Sequence, residues 1–379
     1  MGKVYLPHAE QFDLMNENLS KLITAISTNI DITTWSGIQK VVRSGLAEEV
    51  FPVGTLLGAQ HSKYGQLWFE VVAHNHYKST ASNALNTMTL MCATALGNVQ
   101  YDAPEAFYVF EEDKRYSGAY VYFTIPTTIG SWTEGRYLLK LTGDFPKGGQ
   151  LVLKGSTDAS IIGNTVVCYE SCTSKTTVGT IEVSQGGGSQ DFGTFGVELN
   201  DINRSLYGSN NYKESAIRQF LNSTAVAGSV WTPQTKFDRP PSWAATLDGF
   251  AGGFDEEFLS AVGKVFVPCA ANNTYESPDS TTPKGEKYTL IDKFYLASQQ
   301  EIFGTTTDII ADDSVQLPYY EGATNVDRIK YRNGSAVYWR LRSPVSNLAG
   351  SARIVGLNGG VNLSYASHDN DFVPVCTIV

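Results

Sequence analysis

The chain has 379 residues, 42% of them apolar and 12% aromatic, enough to bury one large core or two to three smaller ones, which excludes general disorder. Its formal net charge of −10 and the lack of any Lys/Arg cluster exclude a nucleic-acid partner held through phosphates. No run approaches the ~18 apolar residues of a membrane span, so no membrane insertion is expected of a product made in the cytoplasm.

Thirty-five glycines and twenty tyrosines tilt the chain toward strands and turns, and with the helical segments below the expectation is an α+β fold. Phe12, Met15, Leu19, Leu22 and Ile26 are spaced 3-4-3-4, an a/d seam of about two heptads that is too short to be stable alone. It reads as an oligomerisation helix over residues 1–30, or as an amphipathic helix packed on its own domain. Thr33 and Thr34 can cap a helix in WSGIQKVVRSGLAEEV, which should run until Pro52 and Gly54 stop it. LWFEVVAH reads as a buried strand.

From 105 to 190 the pattern becomes short alternating runs (AYVYFTI, RYLLKLTG, GQLVLKG, NTVVCYE, TIEVS) between turns, which predicts a small β-sandwich or a β-meander, followed by the flexible QGGGSQ at 185–190. Beyond it, YKESAIRQFLNS predicts a helix with Ala216, Ile217, Phe220 and Leu221 on one face. EEFLSAVGKVFV reads as a helix or a helix-to-strand turn, and DKFYLASQQEIFG places Ser298 and Glu301 at capping-box spacing. YWRLRSP predicts a buried strand whose arginines must find partners, and FVPVCTIV a closing strand.

Five scattered cysteines fit reduced thiols better than a disulfide framework. Cys168-x₃-Cys172 and His74-x-His76 lack a second ligand pair at matching spacing, so no metal is expected at either. Between the two last strands lie 28 positions, Val345 to Phe372, with no Lys, Glu, Gln, Met, Trp or Pro. Ser, Gly and Asn recur there with one Tyr, the adaptable residues of binding loops held on a rigid scaffold.

The ordered segments YGSNNYKESAIRQFLNS, GFAGGFDEEFLSAVGKV, DKFYLASQQEIFG and YWRLRSP…VPVC together resemble uncharacterised domain family 6273 of bacterial and phage proteins. That resemblance implies a C-type-lectin-like fold, related to the formylglycine-generating enzyme, over 191–379. A lead-in helix and first strands (31–104) and the β-sandwich-like insertion (105–190) would precede it. In several relatives the fold is the variable protein of a diversity-generating retroelement, as in a phage tail-tip tropism determinant. Its restricted codon set cannot yield Lys, Glu, Gln, Met or Trp, and 345–372 lacks all five.

The resemblance then implies a receptor-binding protein of a virion tail or fibre, homotrimeric, non-enzymatic and without cofactor. Its partners would be a host cell-surface protein or glycan and other virion proteins. The alternative is a structural tail or head-fibre subunit. The implied contact residues are Ser346, Asn347, Leu348, Arg353, Gly356, Leu357, Asn358, Asn362, Ser364, Tyr365, His368, Asp369 and Asn370, on a framework of Trp339, Arg340 and Arg342. Enzymatic members need a Cys pair or a His cluster, whereas here Cys269 and Cys376 stand 107 residues apart and His368 is alone. Relatives carry Gly before the closing Val-x-Pro; here Phe372 stands there, so either Phe372 is itself a varied position or the turn differs.

Overall fold

The computed structural model describes residues 30–113, 120–126, 133–140, 143–154, 165–185, 194–198, 202–272 and 285–379. Phe12, Met15, Leu19, Leu22 and Ile26 therefore lie outside the described residues, as does most of QGGGSQ. Over the described residues strand outweighs helix, 37% against 16%, so the expected α+β C-type-lectin-like fold is corrected to a mostly β architecture with short helices.

The helices are short because each is stopped early. In α1 (Trp35–Ser44) the Thr34 hydroxyl accepts from the Gly37 amide at 3.1 Å, and Ile38, Val41 and Val42 are buried. Gly45, at φ 81°, ends it with its amide on Val42 O, ahead of the expected stop at Pro52. A separate turn, α2 (Ala47–Val50), follows. The described helices after it have five to seven residues: α3 (Ile202–Tyr207), α4 (Ala216–Asn222), α5 (Glu256–Ala261) and α6 (Gln299–Phe303). The α4 face is the expected one, with Ala216, Ile217, Phe220 and Leu221 buried. In α6 the full capping box forms between Ser298 and Glu301, and Gly304 at φ 67° closes the helix.

Two five-stranded sheets make the body. One joins β1 (Leu56–His61), β2 (Gly65–His74), β3 (Met88–Cys92), β21 (Val375–Ile378) and β14 (Phe294–Tyr295) in that order. Its centre, β3, is buried at all five positions. The other runs β19 (Val361–Tyr365), β18 (Ser351–Val355), β17 (Trp339–Pro344), β20 (Asp369–Phe372) and β4 (Leu96–Gln100). The ribbon of β12 (Val265–Asn272) with β13 (Gly285–Asp292) and the small pair β15 (Tyr331–Arg332) with β16 (Ser335–Ala336) flank it.

The segment expected to form a sandwich or a meander is a single sheet that folds over. Its order is β11 (Thr194–Gly196), β6 (Tyr120–Ile125), β7 (Gly135–Lys140), β10 (Thr177–Gln185), β9 (Thr165–Tyr169), β8 (Gln150–Lys154) and β5 (Tyr108–Val109). The first part of β10 pairs with β9 and its end, Val183–Gln185, with β7, so the sheet changes direction along one strand. Phe123, Tyr137 and Leu139 on one side and Leu151, Val166 and Cys168 on the other share one apolar cluster. The lobe extends past residue 190, since β11 joins it in parallel with β6 and Ile202 packs into its core.

Phe372 packs inward. It is fully buried, with its ring 5.5 Å from Phe220 and 5.7 Å from Phe250, and the pairing of β20 with β4 is irregular between Asp371 and Phe372. It is a core residue beside an irregularity of the strand pairing and not a surface position.

The most demanding group in the core is Arg342. Its guanidinium donates to Glu301 at 2.7 and 2.6 Å, to Leu296 O at 2.8 Å and to Pro268 O at 3.0 Å, and both ionic side chains are almost wholly out of water. The Tyr77 hydroxyl also donates to Glu301. Burial works to raise the Glu301 carboxyl, but the Arg342 guanidinium and the His76 ring outweigh it and hold the group well below the usual carboxylate range. Glu301→Gln leaves Arg342 with only the more distant Asp312, at 3.4 Å, to offset its charge and is expected to cost roughly 3–5 kcal/mol in denaturant unfolding at neutral pH. A depressed folded pKa stabilises fully above the unfolded value of about 4.3. The gap between wild type and E301Q should therefore shrink as pH falls below about 4; a gap independent of pH would contradict this account.

Candidate functional site

In a pleated sheet, residues paired across strands share a face. Arg340 pairs with Ile354, and Ile354 with Asn362, while Ala352 pairs with Ser364, so one face of β17, β18 and β19 carries Arg340, Ile354, Asn362 and Ser364. The other carries Trp339 and Val355, which are buried in the body core. The first face reaches solvent at the edge strand β19, where Asn362 is exposed, while Arg340 and Ile354 on the inner strands are covered. With the turn after β19 it forms an open groove of about 650 Å³ lined by Tyr338, Ile354, Asn362, Leu363, Ser364, Ser367, His368, Asp369 and Asn370.

Arg340 sits beneath this groove with no exposed surface. Its guanidinium donates to Ser364 O at 3.2 Å and to Tyr365 O and His368 O at 2.7 Å each. Three carbonyls of one turn are thereby tied to one planar fork, a geometry that a lysine cannot reproduce. Burial lowers the Arg340 pKa to about 10, so the group remains charged at neutral pH. The Tyr365 ring stacks on Tyr207 with centroids 3.7 Å apart and planes at 10°, and the Ser367 amide donates to Tyr207 O at 2.8 Å. Burial and then the Arg340 charge push the His368 pKa below its ordinary value, which leaves a neutral imidazole at neutral pH. Asn370 is mostly buried and donates to Ser364 Oγ at 3.0 Å.

The structure divides the residues singled out in the sequence. Asn362, Ser364, His368, Asp369 and Asn370 line the groove, with Tyr365 on its flank. Leu357 and Asn358 are exposed at the β18–β19 hairpin. There Gly359, at φ 75°, passes so close to Asn325 O that a Cβ would come within 1.6 Å. Ser346, Asn347 and Leu348 lie in the β17–β18 loop, outside the groove, and the Asn210 and Asn272 amides hold that loop through Leu348 O and Ser346 O.

Two expected contacts are corrected. Arg353, on the central strand β18, is 6% exposed and donates to Asp308 O at 2.7 Å, and Gly356 is buried where its amide closes the hairpin onto Gly360 O. Sequence reasoning missed Tyr338, Ile354, Leu363 and Ser367. Strand alternation alone points to Tyr338, two residues before Arg340 and on the same face.

Among the described residues no three His, Cys, Asp or Glu side chains are placed to hold a metal ion. His74 and His76 do not converge: His74 meets Phe51 O at 3.0 Å, Asn75 turns the chain at φ 54°, and the His76 ring lies 3.9 Å from Glu301. The cysteines described are free thiols. Smaller cavities of about 280 and 240 Å³ lie beside Trp231 and beside His76.

The model of the family described as "Domain of unknown function (DUF6273)" matches residues 179–379, more than half of the chain. The chain belongs to this family. No curated protein and no solved structure matches it. The DUF6273 stretch holds every residue lining the groove together with Arg340, Glu301 and Arg342, whereas β1 to β9 lie outside it.

Arg340→Lys retains the charge but not the fork. It is expected to lower stability by roughly 2–4 kcal/mol, since at least one buried carbonyl loses a charged donor. Amide exchange at Tyr365 to Asp369 should accelerate more than in the body core, and an unchanged exchange pattern would show that Arg340 does not organise the turn.

Proposed function

We propose that the protein is a non-enzymatic receptor-binding protein of a phage particle, presenting the outer face of its C-terminal sheet to a bacterial cell surface. One observation carries this reading. Eight of the nine residues that line one open groove come from the stretch that lacks Lys, Glu, Gln, Met and Trp, while the strand beneath it, β17, is buried and held by Arg340 and Arg342. A rigid frame under an adaptable polar surface is the arrangement that lets contact residues change without unfolding the fold. The phage setting rests on the family resemblance of the sequence.

Fluorescently labelled full-length protein should bind saturably to at least one strain in a panel of bacteria. The double variant Asn362→Ala, Asp369→Ala should bind about tenfold or more weakly, about 1.4 kcal/mol, with an unchanged unfolding midpoint. Undiminished binding by the folded variant, or no binding across the panel, would overturn the proposal.

A further inference from the structure

The groove also speaks to the chemistry of its ligand. Its volume falls in the ~300–1,000 Å³ range of small-ligand sites, but it is an open trough, suited to a chain that lies along it more than to an enclosed molecule. Asn362, Ser364 and Ser367 offer amide and hydroxyl groups that both donate and accept, Asn370 lies mostly buried behind Ser364, and exposed Asp369 accepts only. No Lys or Arg is among the described residues that line it, and the charge of Arg340 is spent on three backbone carbonyls below the floor. Tyr338, 40% exposed, presents an aromatic ring at the same groove.

A peptide fits this surface poorly. Peptides that add to a sheet use a free strand edge, and β19 is such an edge, but the Asn362 side chain already accepts from the Leu363 amide at 2.8 Å. Peptide hot spots are held in dry pockets, whereas the apolar groups at this groove, Tyr338 and Leu363, lie exposed along an open trough. An acidic ligand would meet Asp369 with no exposed cation to offset it. A chain of hydroxyl groups satisfies the same donors and acceptors, and the apolar face of a sugar ring can lie on Tyr338.

We infer that the groove formed by Tyr338, Asn362, Ser364, Ser367, Asp369 and Asn370 binds a neutral glycan. The inference rests on the binding function proposed above and names its ligand class.

The test uses full-length protein on immobilised neutral hexose and N-acetylhexosamine oligosaccharides, with uronate- and sialate-bearing ones beside them, and on cells of a bound strain treated with periodate or with protease. The expected result is retention on neutral oligosaccharides and loss of cell binding after periodate but not after protease. Binding should vary less than about twofold between about 0.05 and 0.5 M salt, a range over which charged contacts are screened. The single variants Asn362→Ala and Asp369→Asn, both at exposed positions that cannot unfold the core, should each weaken retention by severalfold. Cell binding that survives periodate and is lost to protease would overturn the glycan inference and leave the receptor-binding reading standing, whereas absence of cell binding would remove both. Tighter binding by Asp369→Asn, or retention only on the acidic sugars, would also overturn it.

Discussion

A guanidinium leaves water at a cost that falls as its charge and its donors are met, and β17 buries two of them. Arg342 is answered by Glu301, which also fixes the first turn of α6 and receives Tyr77, so one ion pair ties β17, α6 and the strand-to-loop segment around Tyr77 together. Arg340 has no carboxylate in contact and is answered by backbone alone. The cost of desolvating such charges is several kcal/mol each, and losing one partner is worse than never having buried the pair. That asymmetry leaves β17 and its carbonyl partners little freedom to rearrange.

The groove follows from this constraint and from the period of a strand. Trp339 and Val355 pack into the core, and Tyr338, Asn362 and Ser364 occupy the alternate positions, which reach solvent at Tyr338 and along the edge strand β19. The turn from Tyr365 to Asp369 would be free to fray if its carbonyls met only water. Arg340 beneath and Tyr207 alongside hold it in one shape. A preorganised turn loses less conformational entropy on binding, which lets modest polar contacts reach useful affinity.

Much of this was legible in the chain because it is local. The apolar face of α4, the capping box at Ser298 and Glu301, and the need of the YWRLRSP arginines for buried partners are all set by residues a few positions apart. Fold class was less legible. Helical periodicity in WSGIQKVVRSGLAEEV continues past Gly45, yet the left-handed conformation of that glycine ends the helix, and the weight of the fold passes to strands. Site membership failed where long-range pairing decides burial. Arg353 reads as a surface residue until β18 is found between β17 and β19, and Phe372 reads as ambiguous until Phe220 and Phe250 close over it. The change of direction of the seven-stranded sheet within β10 depends on which strand each half meets, and no local pattern encodes that.

The central claim is that the outer face of β19 and its following turn is the working surface. Amide hydrogen exchange of the full chain, alone and saturated with surface extract from a bound bacterial strain, tests it most directly. The account requires slowed exchange concentrated at Asn362 to Asn370 and at Tyr338, with the seven-stranded lobe unaffected. Slowing confined to that lobe or to the seam around Trp231, with Asn362 to Asn370 unchanged, would contradict it.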